Sequence, residues 1–403
     1  MKSAPKSSDV SRRQFLKTAA ATGLTATMAP AVALAAEAPA SSPAIPRRAL
    51  GKTGAHVPIL ALGGMFDTIN NQLLLKQAHT WGVTYWDTAE AYGNGLSEEG
   101  YGRYFQRNPD ARKDIFLVTK LIHNGGEDFT ARLDASLKRL QTDHVDLFFV
   151  HGISSIDEVS KYKDWAAEMK KAGKMRFVGF SSHSNMEDCM TGAAKLGWLD
   201  AVMVAFNYRL MHTPKMREAL DACMKAGIGV VAMKTQGGGP VKSGSEEELK
   251  LAGHFLERGF TDKQAKLKAV WEEPGIASIC SQMPNLTILA ANVAAARDKT
   301  SLAINDLRLF QNLAHATKRD YCAGCGAICQ SATGGLVAIN DVMRCLMYYR
   351  EYGEPALARE TFAALPQATR LNLAGQDYAA AEKVCPHGLA IAQLMREAGE
   401  LLA

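Results

Sequence analysis

Four polar side chains close or follow apolar runs between residues 83 and 152 of the chain. Asp87 and Tyr92 lie in "YWDTAEAYG", Lys120 ends "FLVTK", and His151 ends "DLFFVH". Together these types make a proton-transfer set. A tyrosine with an unperturbed pKa near 10 is a poor acid at neutral pH unless its anion is stabilised. A neighbouring Lys120 ammonium is expected to lower that pKa, Asp87 to keep the lysine charged, and His151 to orient a carbonyl oxygen by hydrogen bonding. Such a site protonates an alkoxide as hydride arrives at carbon, and the hydride must come from a cofactor, because no side chain supplies one. One strand-end lysine or histidine marks only where a strand meets solvent; four of these residues on three successive strands make coincidence a poor account.

A second group is sulfur. Cys322, Cys325 and Cys329 are spaced C-x2-C-x3-C in "YCAGCGAICQ", and Cys385-Pro386 follows in "VCPHGLAI". Distant Cys-Pro ligands accompany ferredoxin-type runs. Four thiolates also suit structural zinc, and an exported protein can oxidise them to disulfides. Cys189, Cys223, Cys280 and Cys345 sit in helix- or strand-like segments and read as core thiols; His387 reads as a solvent-facing loop residue.

The elements that must position these groups are visible as alternation. Eight apolar runs read as strands: "VPILALGG", "VTYWDTA", "IFLVTKL", "VDLFFVHG", "RFVGFSS", "AVMVAFN", "GVVAMKT" and "IASICSQ". Helical patterns separate them, as at 129–141 and 160–173. Strands with little polar alternation are buried on both faces and parallel. Eight such units in succession imply a (β/α)8 TIM barrel, whose strand ends converge on one pocket. An open doubly wound sheet is the alternative, weakened by the lack of a G-x-G-x-x-G turn after the first strand. The segment 235–260 interrupts the repeat after the seventh strand and is expected at the catalytic face as a lid.

With these motifs in family order, residues 47–300 resemble the aldo-keto reductases. "RALGKTGAHVPILALGG", "WDTAEAYGNGLSEEGYGRYF", "LVTKL", "VDLFFVHG" and "MRFVGFSSHS" carry the resemblance. It implies that Asp87, Tyr92, Lys120 and His151 form the catalytic tetrad, with Tyr92 as general acid/base and NAD(P)H as hydride donor. The nucleotide positions match less well. Ser181-Ser182 stand where the family has Ser-Asn, Met203 where it has Gln (with Asn207 the nearest amide), and Met233 where it stacks an aromatic on nicotinamide. Ser281, Gln282 and Asn292 are the remaining candidate nucleotide contacts, and no basic residue precedes Arg297 in that segment. Residues 301–403 resemble the small helical, ferredoxin-like extension on one branch of the family, through "INDVMRCLMYYREYG" and "CPHGLAIAQLMREA". That implies one [4Fe–4S] cluster on Cys322, Cys325, Cys329 and Cys385, with zinc or disulfides as alternatives.

At the N-terminus, "SRRQFLK" precedes a mildly apolar Ala/Thr/Gly run and "ALA" at 33–35. This order reads as a twin-arginine signal over 1–36, followed by a linker over 37–46, and predicts export to the periplasm or another extracytoplasmic space by the twin-arginine machinery. No apolar run is long enough for a lasting membrane anchor. The net charge of +5 over 403 residues, without a basic run interleaved with aromatics, argues against nucleic acid. The expected partner is a small carbonyl or alcohol substrate, with a redox partner protein if the cluster passes electrons. A cluster-linked electron-transfer protein with little nicotinamide use, and a non-catalytic ligand-binding barrel, are the competing functions.

Overall fold

The computed structural model describes residues 44–123, 128–238 and 245–403. The expected signal segment and most of the expected linker lie outside the described residues.

A hairpin comes first: β1 (Arg47–Ala49) pairs antiparallel with β2 (His56–Pro58). Eight parallel strands then close a barrel: β3 (Leu60–Gly63), β4 (Tyr85–Asp87), β5 (Phe116–Ile122), β6 (Val145–Ile153), β7 (Met175–Ser182), β8 (Ala201–Ala205), β9 (Gly229–Met233) and β10 (Ile276–Gln282), with β10 hydrogen-bonded back to β3. Each of the eight apolar runs coincides with or overlaps one of these strands. Their continuous hydrophobicity follows from burial on both faces. One set of side chains, including Tyr85, Val118, Leu147, Phe149 and Val231, fills the barrel interior. The other set packs outward beneath the helices. Leu50, from the hairpin, closes the end where the strands begin. It lies where a side chain on Gly229, the first residue of β9, would have to be.

The helical expectations hold with local differences. Phe129–Leu140 is a helix whose Asp128 side chain accepts from the Thr130 and Ala131 amides. The stretch 160–173 is divided: one helix ends at Ser160 and the next runs Lys163–Lys171, carrying Trp165 against Phe148 and Phe129.

The C-terminal region is helical. The helix Ile304–Ala316 sends Phe310 and Leu313 into the barrel's own core. From Val337 onward a separate core forms around Val342, Leu346, Phe362, Ile391 and Met395. The segment expected as a lid, 235–260, is described at 235–238 and 245–260: Thr235 and Gln236 line the cavity at the barrel mouth, while the helix Glu246–Glu257 buries Leu251 and Phe255, and Phe255 stacks on Phe310 at 5.1 Å. His254 and Arg258 both bond Asp306. An apolar face and two ion pairs fasten this helix to the flank. The roof over the barrel mouth is built instead by the helices Ile339–Arg350 and Pro355–Ala363.

Candidate active site

The chain positions Asp87, Tyr92, Lys120 and His151 by ordinary means. Asp87 is the last residue of β4, Lys120 lies in β5 and His151 in β6, so all three face the end of the barrel where parallel strands finish. Tyr92 sits on the turn after β4. That turn bends sharply through Gly93, Asn94 and Gly95, all at positive φ. The following helix, Leu96–Arg107, is stitched to the strands by buried polar groups. Ser97 Oγ donates to the Gly64 carbonyl at 2.6 Å, and Thr119 donates to the fully buried Glu98 carboxylate, which Arg139 also binds at 2.7 Å. These bonds hold the turn carrying Tyr92 against the strand carrying Lys120.

Lys120 Nζ donates to Asp87 Oδ1 at 2.5 Å, to the Thr88 carbonyl at 2.8 Å and to Tyr92 Oη at 3.3 Å. Burial would strip the Lys120 proton, yet the adjacent Asp87 carboxylate raises its pKa, so the ammonium persists. The Tyr92 and His151 rings meet edge to face, centroids 5.8 Å apart. His151 is held well below the usual imidazole pKa by burial and by Lys120, so it is neutral, and its buried Nδ1 has no hydrogen-bond partner among the described residues.

One expectation is reversed. Lys120 does pull the Tyr92 pKa down, but burial outweighs it and the phenol is pushed up to about 12. Tyr92 therefore keeps its proton across the neutral range.

Asp87, Tyr92 and His151 line one cavity of about 580 Å3, within the usual range for small-molecule sites, and Lys120 is buried behind them, bonded to Asp87 and Tyr92. Among the candidate nucleotide contacts, Ser281 and Gln282 line it too. The others are committed to bonds within the protein and do not line it. Ser181 Oγ accepts from the Gly152 amide; Ser182 Oγ donates to the Ile153 and Ser184 carbonyls. Asn207 Nδ2 donates to the Lys234 carbonyl and to Tyr321 Oη, and Asn292 Nδ2 donates to Ser281 Oγ. Met203 and Met233 do face the cavity.

Sequence reasoning missed several lining residues. Cys280, read as a core thiol, lines the cavity beside Asp87. Lys234 follows β9 as Lys120 ends "FLVTK", so the strand-end rule applied once more would have found it. Asp341, Arg344 and Tyr348 come from the roof helix, where only the fold brings them near the tetrad.

Cys322, Cys325, Cys329 and Cys385 line a separate small cavity, with Pro386 and His387 beside them. Burial raises the Cys322 thiol to about 12, and the other three add to the rise, so the four are mutual neighbours. All eight cysteines are free thiols in this structure. Among the described residues, no three His, Cys, Asp or Glu side chains are grouped to hold a single metal ion. The cysteine loop rests on the turn after β7. The Asn185 amide donates to the Gly324 carbonyl at 2.8 Å, and a side chain at Gly324 (φ +83) would strike the His183 carbonyl. A second cavity of about 230 Å3 runs from Cys322 to His183, Lys234 and Arg344, which it shares with the tetrad's cavity.

With the geometry in place, comparison with known proteins gives the lineage. Residues 62–305 match the model described as "Aldo/keto reductase family", and residues 9–29 match the twin-arginine translocation pathway signal sequence. The chain thus carries a signal for export to an extracytoplasmic location; no helix among the described residues is long and apolar enough to cross a membrane. The aldo-keto reductase yakc [NADP(+)] of Schizosaccharomyces pombe is 30% identical over 208 residues, covering 48% of this chain but only 59% of that protein. L-galactose dehydrogenase of Arabidopsis thaliana is 26% identical over 66% of this chain and 92% of its own length. Among solved structures, an aldo-keto reductase from Klebsiella pneumoniae in complex with NADPH superposes with a TM-score of 0.54 at 23% identity, over 64% of this chain and 92% of that one.

Proposed function

The chain belongs to the aldo/keto reductase family, and from that premise we propose that it is an exported oxidoreductase interconverting a carbonyl and an alcohol with a nicotinamide cofactor. The observation that carries this reading is the contact of Tyr92 Oη with Lys120 Nζ, itself locked to Asp87, with Tyr92 and a neutral His151 both lining the cavity. The cofactor supplies hydride when bound. The relatives named or solved with NADP(H) favour that nucleotide, and Ser281 and Gln282 are the polar groups of this chain that face the cavity from β10.

The protein's own part is proton handling. A neutral imidazole with one N–H orients the carbonyl oxygen, and Tyr92, protonated below about pH 12, gives its proton to the oxygen as negative charge builds there. Lys120 stabilises the phenolate left behind. Tyr92→Phe removes the proton and tests the assignment: carbonyl reduction is expected to fall by a factor on the order of 10² to 10⁴, and undiminished reduction would sink it.

A second component rests on the cysteine cavity. Four thiols around one space, one of them followed by Pro386, suit a [4Fe–4S] cluster, with tetrahedral zinc as the alternative. Cys322, Cys325, Cys329 and Cys385 would hold it, and it would supply one-electron chemistry. Its place in the C-terminal helical region, beside the separate core that begins at Val337, favours a cluster-linked role with a redox partner as the second reading. Iron and acid-labile sulfide in anaerobically purified protein, lost in Cys385→Ser and retained in Cys345→Ser, are the expected result; their absence from the unaltered protein removes the cluster.

A further inference from the structure

The wall of the cavity contributed by β9 and the roof helix carries a lysine bonded to a phenol rather than a carboxylate, and an arginine with one buried nitrogen left unbonded. Lys234 is held in the left-handed region (φ +54), where a lysine is rare and costly. The bond from Asn207 Nδ2 to its carbonyl fixes it there at 3.1 Å. Its Nζ donates to Tyr348 Oη at 3.0 Å and lies 4.4 Å from that ring's centroid. Among the described residues no carboxylate pairs with it, and burial lowers its pKa. Arg344 stands one helical turn before Tyr348. One end of its guanidinium meets Asp341 at 3.1 Å, while its buried Nε has no partner. The buried His183 Nδ1 is also unpartnered. Lys234, Arg344, His183 and Tyr348 all line the tetrad's cavity.

The other charges facing that space leave this wall positive. Asp87 is spent on Lys120 and Asp341 on Arg344; Glu360 is solvent-exposed. Buried donors with nothing to bond cost free energy, and a strained lysine held beside an arginine is a costly arrangement unless a ligand completes it. A fork of guanidinium and ammonium donors matches carboxylate or phosphate oxygens.

We propose that Lys234, Arg344 and Tyr348 form a binding site for an anionic group, a carboxylate or phosphate carried by the substrate, so that this pocket takes anionic carbonyl compounds. The proposal deepens the carbonyl-reduction reading by naming the substrate class. The C-terminal region thereby supplies specificity to a barrel that supplies the proton chemistry. The same oxygens could instead belong to the nucleotide's phosphates, and the test separates the two sources.

The test is equilibrium binding by calorimetry without turnover, so it stands even if no carbonyl is reduced. Pyruvate, inorganic phosphate and the neutral hydroxyacetone are titrated into nucleotide-free protein, and NADPH is titrated separately. Pyruvate or phosphate is expected to bind at least about tenfold more tightly than hydroxyacetone. Arg344→Gln and Lys234→Met should each abolish that preference while leaving NADPH affinity within about twofold. Tyr348→Phe, which removes only a hydroxyl and so preserves packing, should weaken it partly. No preference for the anions in the unaltered protein, or a preference that survives in folded Arg344→Gln, overturns the proposal. So does loss of NADPH affinity in the variants, since the site would then be the nucleotide's.

Discussion

Two lysine–tyrosine pairs present their tyrosines to the cavity, and they differ in how the lysine is compensated. On the barrel side Lys120 is 3.3 Å from Tyr92 and is neutralised by Asp87 at 2.5 Å. On the roof side Lys234 is 3.0 Å from Tyr348 and has Arg344, not a carboxylate, as its neighbour. The same two side chains acquire opposite characters. Burial wins at Tyr92, whose pKa rises to about 12. At Tyr348 burial also pushes upward, but Lys234 and Arg344 together outweigh it and the pKa falls. A charge compensated inside the protein belongs to finished machinery; a charge left over is completed by a ligand.

Breaking the barrel pair should have the larger effect on stability. Lys120→Met leaves the Asp87 carboxylate buried without its partner and should cost about 3–5 kcal/mol, read as a lower urea midpoint, with carbonyl reduction lost as well. The pH dependence sharpens the contrast next. Tyr92 is an acid below its pKa and a base only above it. Alcohol oxidation should therefore rise roughly tenfold per pH unit toward pH 12, while reduction shows no Tyr92 step near neutrality. Initial rates in both directions across pH 6–10 check this.

The roof pair predicts a smaller effect of the opposite sign. Lys234→Met replaces an uncompensated buried ammonium with an apolar side chain of similar length. Stability should stay level or rise by about 1 kcal/mol, so a urea midpoint that falls like that of Lys120→Met would erase the distinction. Smallest is a pair outside the cavity. Burial would raise the Glu158 pKa, but bonds from His123 and the Ser154 amide and hydroxyl hold it down at about 2. A depressed carboxylate stabilises the fold above its unfolded pKa, and this is lost as pH falls from 4.5 toward 2. Glu158→Gln should flatten that acid limb by about 1 kcal/mol or less, since solvent screens the pair.

The two sides of the cavity were also unequally legible in the sequence. The barrel strands are apolar on both faces, so each stood out as a run, and the tetrad lay at or just past the ends of those runs. The turn at Tyr92 was readable because its signature packs glycines around one aromatic. The roof was not readable. Its cavity-facing residues, Asp341, Arg344 and Tyr348, share an amphipathic helix with core residues Val342, Cys345 and Leu346, and no local pattern says that its polar side faces a pocket rather than water. Ser182 and Asn207 show the converse: types suited to gripping a nucleotide are spent on turns, because a buried hydroxyl or amide takes the nearest backbone partner. The sign of the Tyr92 shift was hidden too, since it depends on burial that only the closed fold imposes.

The central claim is that Tyr92 delivers the proton during hydride transfer. The most direct measurement is single-turnover NADPH oxidation with a carbonyl substrate by Tyr92→Phe and by unaltered protein, with nucleotide affinity determined in parallel. Equal nucleotide affinity and a chemical step slower by about 10² to 10⁴ is the predicted result. A variant that oxidises NADPH as fast as the unaltered protein contradicts the account.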